Sequence, residues 1–258
     1  MKKIITALAF ASALLIGPNA FAQETKPTIV LVHGAFADAS SWNGVIGILE
    51  KDGYPVVAAA NPLRGVGSDA QYVSDILGGI QSPVVLVGHS YGGNVITGAA
   101  SGHANVRALV YVSAFAPEAG ETAAGLSGKF PGSTLGQTLA PLIKLSGGGV
   151  DLYIQQDKFH GQFAADVPEA RAALMAATQR PVTEAALNEP TSEPAWKTIP
   201  SWFIYGSADK NIPPQAMAFM AKRADARKVE VIDGASHVVM VSNPMPVARL
   251  IERAAAGN

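Results

Sequence analysis

Val84-Val85-Leu86-Val87-Gly88-His89-Ser90-Tyr91-Gly92-Gly93 is the stretch on which the reading of this chain turns. Four consecutive apolar residues, Val84 to Val87, suit a strand covered on both faces. The Gly-x-Ser-x-Gly pattern that follows puts Ser90 on a tight strand-to-helix turn with strained backbone, where a side chain at Gly88 or Gly92 would collide with neighbouring main chain. A Ser in that position is presented as an attacking group. The pattern alone is common, and a Gly-rich turn before a helix also cradles phosphates or simply closes a βα loop. The strand in front of it favours the nucleophile.

On either side of this stretch, apolar β-branched runs alternate with segments of helical period. The runs are Thr28 to Val32, Val56 to Ala60, Val84 to Val87, Leu109 to Val112, Trp202 to Tyr205 and Val229 to Ile232. Helices are predicted at Ser41 to Lys51, Ser68 to Ile80, Tyr91 to Ala100, Pro214 to Arg223 and Pro244 to Ala256. Ser68 with Asp69 reads as one N-cap and Asn243 before Pro244 as another. This is the pattern of an α/β protein with a six-stranded, mainly parallel sheet and helices on both faces. The alternation lapses between Val112 and Trp202, far beyond the dozen or so residues a βαβ crossover needs. An inserted cap at about 113–199 is therefore expected, with helices at Asp166 to Thr178 and Thr183 to Leu187. Phe130, Leu142, Ile143, Tyr153, Phe159, Phe163, Leu187 and Trp196 are its candidate pocket residues.

The chain has 258 residues, 48% hydrophobic and 15% charged, with a formal net charge of −1, which suits one sizeable core and argues against a nucleic-acid partner. Residues 1–22 read as a secretory signal: Lys2 and Lys3, an apolar run from Ile4 to Ile16, and Ala20-Phe21-Ala22 at the cleavage positions. At about 1.5 Å per residue that run is too short for a hydrocarbon core about 30 Å thick, so no stable membrane anchor is expected. Residues 23–258 would then form a single exported domain, periplasmic or secreted. With no Cys in the sequence, it has neither disulfides nor a lipidated Cys.

A Ser hydroxyl needs a base within hydrogen-bond reach and a third group to hold that base. Of the five histidines, His89 lies on the strand side of the turn, with its side chain expected to point away. His33 ends the first strand run, His103 follows the elbow helix and His160 lies in the cap. His237 follows the last strand run, at the sheet edge where α/β proteins bind ligands. Asp209, directly after the fifth run, completes the chain order Ser, Asp, His; Glu118 and Asp233 are the other acids within reach. An oxyanion would find donors in the Tyr91 N–H and in the loop His33-Gly34-Ala35-Phe36, where the turn at Gly34 favours Ala35 and leaves Phe36 as the nearest alternative. The Phe36 side chain is expected to contact substrate.

With these motifs in place, the chain resembles the α/β-hydrolase superfamily, and within it the group of plant methylesterases, salicylate-binding esterases and hydroxynitrile lyases. Val30-Leu31-Val32-His33-Gly34-Ala35 looks like the oxyanion loop of that group, Gly88 to Gly93 its elbow, Asp209 its acid and His237 its base. Thr28 follows the expected mature N-terminus so closely that the antiparallel strands opening longer members have no room. The lyases of the group carry a Thr where this chain has Gly34 and a Lys where it has Val238, so the resemblance implies hydrolysis rather than cyanohydrin cleavage. A dehalogenase would need a carboxylate in place of Ser90.

The resemblance implies a serine carboxylesterase that cleaves small to medium esters through an acyl-enzyme, with no metal and no organic cofactor. Lactone, amide or carbon-carbon bond hydrolysis on the same triad is the alternative, as is a slow-turnover ligand-binding protein on this scaffold. Acyl and alcohol preference and oligomeric state are not readable from periodicity. The leader predicts that intact mass spectrometry of the exported protein finds Gln23 as the first residue; a chain still beginning at Met1 would overturn it.

Overall fold

The computed structural model describes residues 26–258. The expected leader and the cleavage point at Gln23 lie outside them. Four strands open the described chain: β1 (Thr28–Val32), β2 (Val56–Ala59), β3 (Val84–His89) and β4 (Val106–Val112). After a long intervening segment with three short strands, β5 (Ile143–Lys144), β6 (Val150–Leu152) and β7 (Val182–Thr183), come β8 (Ser201–Gly206) and β9 (Lys228–Ile232). The main sheet has the order β2-β1-β3-β4-β8-β9 with every neighbouring pair parallel. All six predicted runs are in it. The continuous apolar sequences of β1 and β3 are buried along their whole length, as strands covered on both faces must be.

Helices supply that cover. α1 (Asn43–Lys51) and α2 (Val66–Gly78) follow β1 and β2, and α3 (Gly92–Ala99) follows β3. The intervening segment holds α4 (Ala123–Gly128), α5 (Gln156–Phe163), α6 (Glu169–Thr178) and α7 (Glu184–Asn188). α8 (Pro214–Arg223), α9 (Val239–Ser242) and α10 (Pro244–Ala255) complete the chain. α1 packs on α10 and α2 on α3, while α10 lies against β3, β4 and β8. The chain leaves β1 toward β2 and returns to β3 on the other side of β1. A crevice therefore opens at the carboxyl ends of β1 and β3, the point where such sheets bind ligands.

Neither expected N-cap is made by the residues the sequence suggested. α2 begins at Val66 rather than Ser68, and its free amides are satisfied from a distance: the Glu189 carboxylate accepts from Val66 N–H at 2.7 Å and Gly67 N–H at 3.0 Å. A carboxylate at a helix N-terminus also suits the helix dipole, which frees Asp69 from capping. At α10, Asn243 does not cap; its amide donates to Ser242 Oγ and Asp166 Oδ2, and Pro244 sets the first turn.

Between β4 and β8, the helices expected at 166–178 and 183–187 are α6 and α7, the latter capped by Thr183 Oγ accepting from Ala186 N–H at 3.1 Å. The antiparallel sheet β5-β6-β7 and helices α4 and α5 were not foreseen. Its strands, two or three residues long, are too short to show a period.

Gly92 marks where packing tolerates no side chain. A Cβ there would lie 2.5 Å from the Val32 carbonyl oxygen, so α3 approaches β1 only because residue 92 has none. Gly92→Ala should cost about 1–3 kcal/mol of stability through overpacking, read from urea denaturation midpoints. An unchanged midpoint would contradict this packing.

Candidate active site

Ser90 has φ +53, a left-handed conformation that costs a non-Gly residue and marks a constrained turn. Neighbours hold it there: Ser90 N–H donates to Val112 O at 3.3 Å, and Ser90 O accepts from Gly93 N–H at 2.9 Å and Phe115 N–H at 3.2 Å. The end of β4 and the start of α3 thus fix the turn from two sides. Gly34, after β1, faces it; a Cβ on Gly34 would sit 2.6 Å from both Ser90 Cβ and His89 O and 3.1 Å from Tyr91 N. The bare backbone of the β1 loop therefore lies against the Ser90 turn.

This proximity sorts the amides. Phe36 N–H donates to Arg180 O at 3.0 Å and is committed. Ala35 N–H and Tyr91 N–H donate to no acceptor among the described residues, and both residues line the same cavity as Ser90. Phe36, itself at φ +60, lines that cavity too, with its ring edge-on to Phe163 at 6.2 Å.

Asp209 and His237 meet across the ends of β8 and β9. His237 Nδ1–H donates to Asp209 Oδ2 at 2.6 Å, while Asp209 Oδ1 accepts from Asn211 N–H at 2.8 Å and Ile212 N–H at 3.0 Å. Three donors hold the carboxylate in place, and both side chains are buried. With its proton on Nδ1, the neutral imidazole keeps Nε2 as an acceptor. His237 lines the Ser90 cavity, and Ser90 Oγ makes no hydrogen bond among the described residues. Such contacts often tighten only when substrate is bound.

His89 does not point away as expected. Its ring packs on that of His237 with centroids 4.8 Å apart, and its Nε2–H donates to His237 O at 3.2 Å. Phe163 closes on His237 from another direction at 5.0 Å. Burial, reinforced by His237 nearby, pushes His89 well below the usual imidazole range. His33 is also lowered by burial, although its Nδ1–H donates to Gly34 O at 3.0 Å. His103 and His160 are engaged elsewhere, with Ser74 Oγ at 2.7 Å and Val167 O at 2.9 Å. Among the acids, Glu118 pairs with Lys197 at 2.6 Å, which holds its carboxyl below the usual range, and Asp233 accepts from Ser207 Oγ at the Gly234 turn.

The cavity holds about 340 Å³, and among the described residues no Asp, Glu, Lys or Arg lines it. Its polar wall groups largely face the protein: Ser127 Oγ donates to Asn211 O, and the Asn211 amide exchanges two hydrogen bonds with Gln162. Of the apolar residues named from sequence, Phe163 and Leu187 line it. Leu142 and Ile143 are exposed, and Phe130 packs at a tilt against Phe219. Phe115, Leu135, Leu139 and Ile212 line it without any sequence signal to mark them.

The sequence model of the Alpha/beta hydrolase family matches residues 29–250, and the chain belongs to that family. It is 26% identical over 243 residues to an alpha-hydroxynitrile lyase of Arabidopsis thaliana, covering 86% of this chain and 94% of that one. A carbendazim hydrolyzing esterase of Nocardioides sp. (strain SG-4G) is 39% identical over 108 residues, 36% of this chain and 44% of that protein. Among solved structures, polyneuridine aldehyde esterase superposes with a TM-score of 0.75 at 18% identity, covering 88% of this chain and 98% of that one. A pyrethroid hydrolase superposes at 0.71 with 23% identity, covering 90% and 98%. The two structural likenesses are of fold.

The buried histidines make stability depend on pH. His33 and His89 lie below 6.5 in the folded protein and return to it on unfolding, so the unfolded chain binds more protons in acid. Stability should be full above about pH 6.5 and fall below it, with a slope up to about 1.4 kcal/mol per pH unit for each histidine until its folded value is reached. Urea midpoints between pH 8 and pH 5 measure this; a flat profile would count against neutral buried imidazoles.

Proposed function

We propose that this protein is a serine hydrolase that cleaves uncharged carboxylic esters of small to medium size. The observation that carries the reading is the buried Asp209–His237 pair, opening on a charge-free cavity shared with strained Ser90 and two uncommitted amides. Ser90 Oγ attacks the ester carbonyl carbon as His237 Nε2 takes its proton, and Asp209 stabilises the imidazolium. The Ala35 and Tyr91 amides bind the oxygen as it becomes negative. Collapse of the tetrahedral species expels the alcohol, which receives the proton from His237. Water, deprotonated by the same nitrogen, then releases the acid from Ser90.

The residue pattern supports hydrolysis over cyanohydrin cleavage despite the lyase relative. Gly34 offers no hydroxyl, and Val238 is buried and apolar where a cation would be needed. The names of the carbendazim esterase, polyneuridine aldehyde esterase and pyrethroid hydrolase favour esters. Charge selection follows from the wall: a carboxylate on the substrate would be buried without a partner, which costs several kcal/mol. In this reading residues 113–199 form the cap, since Ala123, Leu135, Leu139, Phe163 and Leu187 close the cavity from that segment. Among the described residues no helix is long and apolar enough to cross a membrane. The leader pattern supports export to the periplasm or medium as the site of action.

Ser90→Ala should lower kcat on p-nitrophenyl butyrate by several orders of magnitude while the protein stays folded. The wild-type enzyme should also turn over a neutral ester at least about 100-fold faster, in kcat/KM, than the same ester bearing a terminal carboxylate. Near-native turnover by Ser90→Ala would sink the mechanism, and equal rates on the two esters would sink the charge selection.

A further inference from the structure

Asp69 is a fully buried carboxylate that the mechanism above does not use. It sits in the first turn of α2, and its Oδ2 accepts from the Tyr91 phenol at 2.9 Å. The Arg64 N–H reaches both of its oxygens, at 3.1 and 3.2 Å. Tyr91 is also fully buried and follows Ser90, so the amide assigned above to the oxyanion belongs to the residue whose phenol Asp69 holds. Burial pushes the Asp69 carboxyl up, and the Arg64 amide, followed by the Tyr91 phenol, draws it part of the way back. A Phe–Leu pair of similar volume would fill this space without desolvating a carboxylate and a phenol, so stability alone does not account for the pair.

The peptide carrying the Tyr91 N–H is gripped at its carbonyl, since Ser90 O accepts from Gly93 N–H and Phe115 N–H, but beyond that peptide the main chain holds Tyr91 less firmly. The φ of residue 91 is −55 where that of Ser90 is +53, so the peptide carrying the Tyr91 N–H lies where the backbone changes hand. The Tyr91 carbonyl receives only a long 3.3 Å bond from Val95 N–H, and no side chain caps α3. On the Cα side of that peptide the phenol is the firm anchor, complementing the two bonds on the Ser90 carbonyl.

The other end of the anchor is fixed by the segment that closes the cavity. The Arg64 guanidinium donates to Asp151 at 2.7 Å and Pro181 O at 2.8 Å, while Thr183 Oγ donates to Arg64 O at 2.9 Å. Leu63 beside it is held at φ +62.

We propose that Asp69 and the Tyr91 phenol are positioning groups that aim the Tyr91 amide at the oxyanion, tying it to the cap-held loop Leu63–Gly67. The inference rests on the serine-hydrolase reading. An amide aimed only at developing charge lowers the barrier without tightening ground-state binding, so its misalignment reduces kcat and leaves KM. Two groups serving one amide should also fail together rather than additively.

The test uses the full-length exported protein and its Tyr91→Phe, Asp69→Asn and doubly substituted forms, assayed on p-nitrophenyl butyrate. Each single substitution should lower kcat about 10-fold with KM within about 2-fold, and the double form should lose no more than the worse single. Affinity for n-butylboronic acid, which mimics the tetrahedral species, should fall by the same factor as kcat/KM. Asp69→Asn keeps the size of the side chain, so if Tyr91→Phe does not fold, Asp69→Asn with the boronate titration decides the matter. Unchanged kcat, a loss confined to KM, or multiplicative losses in the double form would overturn the proposal. A fluorophosphonate probe separates the two readings: failure to label Ser90 in the wild type removes both, whereas labelled Ser90 with unchanged kcat in the variants removes only this one.

Discussion

The site depends on one close approach of main chain to main chain. The loop after β1 and the turn after β3 meet at Gly34, where a single added carbon would strike Ser90 Cβ. Parallel neighbours ending at the same edge make the meeting possible, and the order of β1 and β3 opens the crevice in which it occurs. Backbone amides from two separate loops then share one cavity. Because the donors are main-chain groups, glycine in the turns decides how closely the two loops meet.

A second constraint is the exclusion of water from a polar cluster. Asp209, His237, His89 and His33 are all buried, yet the cluster is ordered by directional bonds: three donors on Asp209, and a carbonyl acceptor for each of His33 and His89. In such surroundings a hydrogen bond is stronger than in water, and a misplaced one costs more. Neutral His89, packed at a tilt against His237, braces the imidazole without bringing a charge to it, and Phe163 does the same from the cap side.

Much of this was legible from local pattern. The six strand runs, the Gly-flanked Ser90 and the acid and histidine after the last two strands announce themselves because each is a short motif bound to a strand end. The same turn at Gly34 drew attention to Phe36 and Ala35, which both line the cavity, Ala35 with an amide that meets no acceptor among the described residues. What stayed hidden depends on distant partners. Asp69 looked like a capping residue because Glu189, far along the chain, takes that task. His89 was expected to point away because it lies on the strand side of the turn, yet its ring packs against His237. The small β5-β6-β7 sheet and the cavity walls at Leu135 and Leu139 lie in a segment rich in Gly and Pro, where no period exists to be read.

The main sheet also ends in a particular way. Among the described residues β9 is hydrogen-bonded only to β8, so its outer edge presents main-chain donors and acceptors that none of them pairs, and Val229 and Val231 are left exposed. Lys228 and Glu230 alternate with those valines, and Glu230 is engaged by Arg253 of α10 at 3.1 Å. A second strand adding to this edge would have to cover charged side chains along with the valines. That cost guards an otherwise sticky border against edge-to-edge aggregation at high protein concentration.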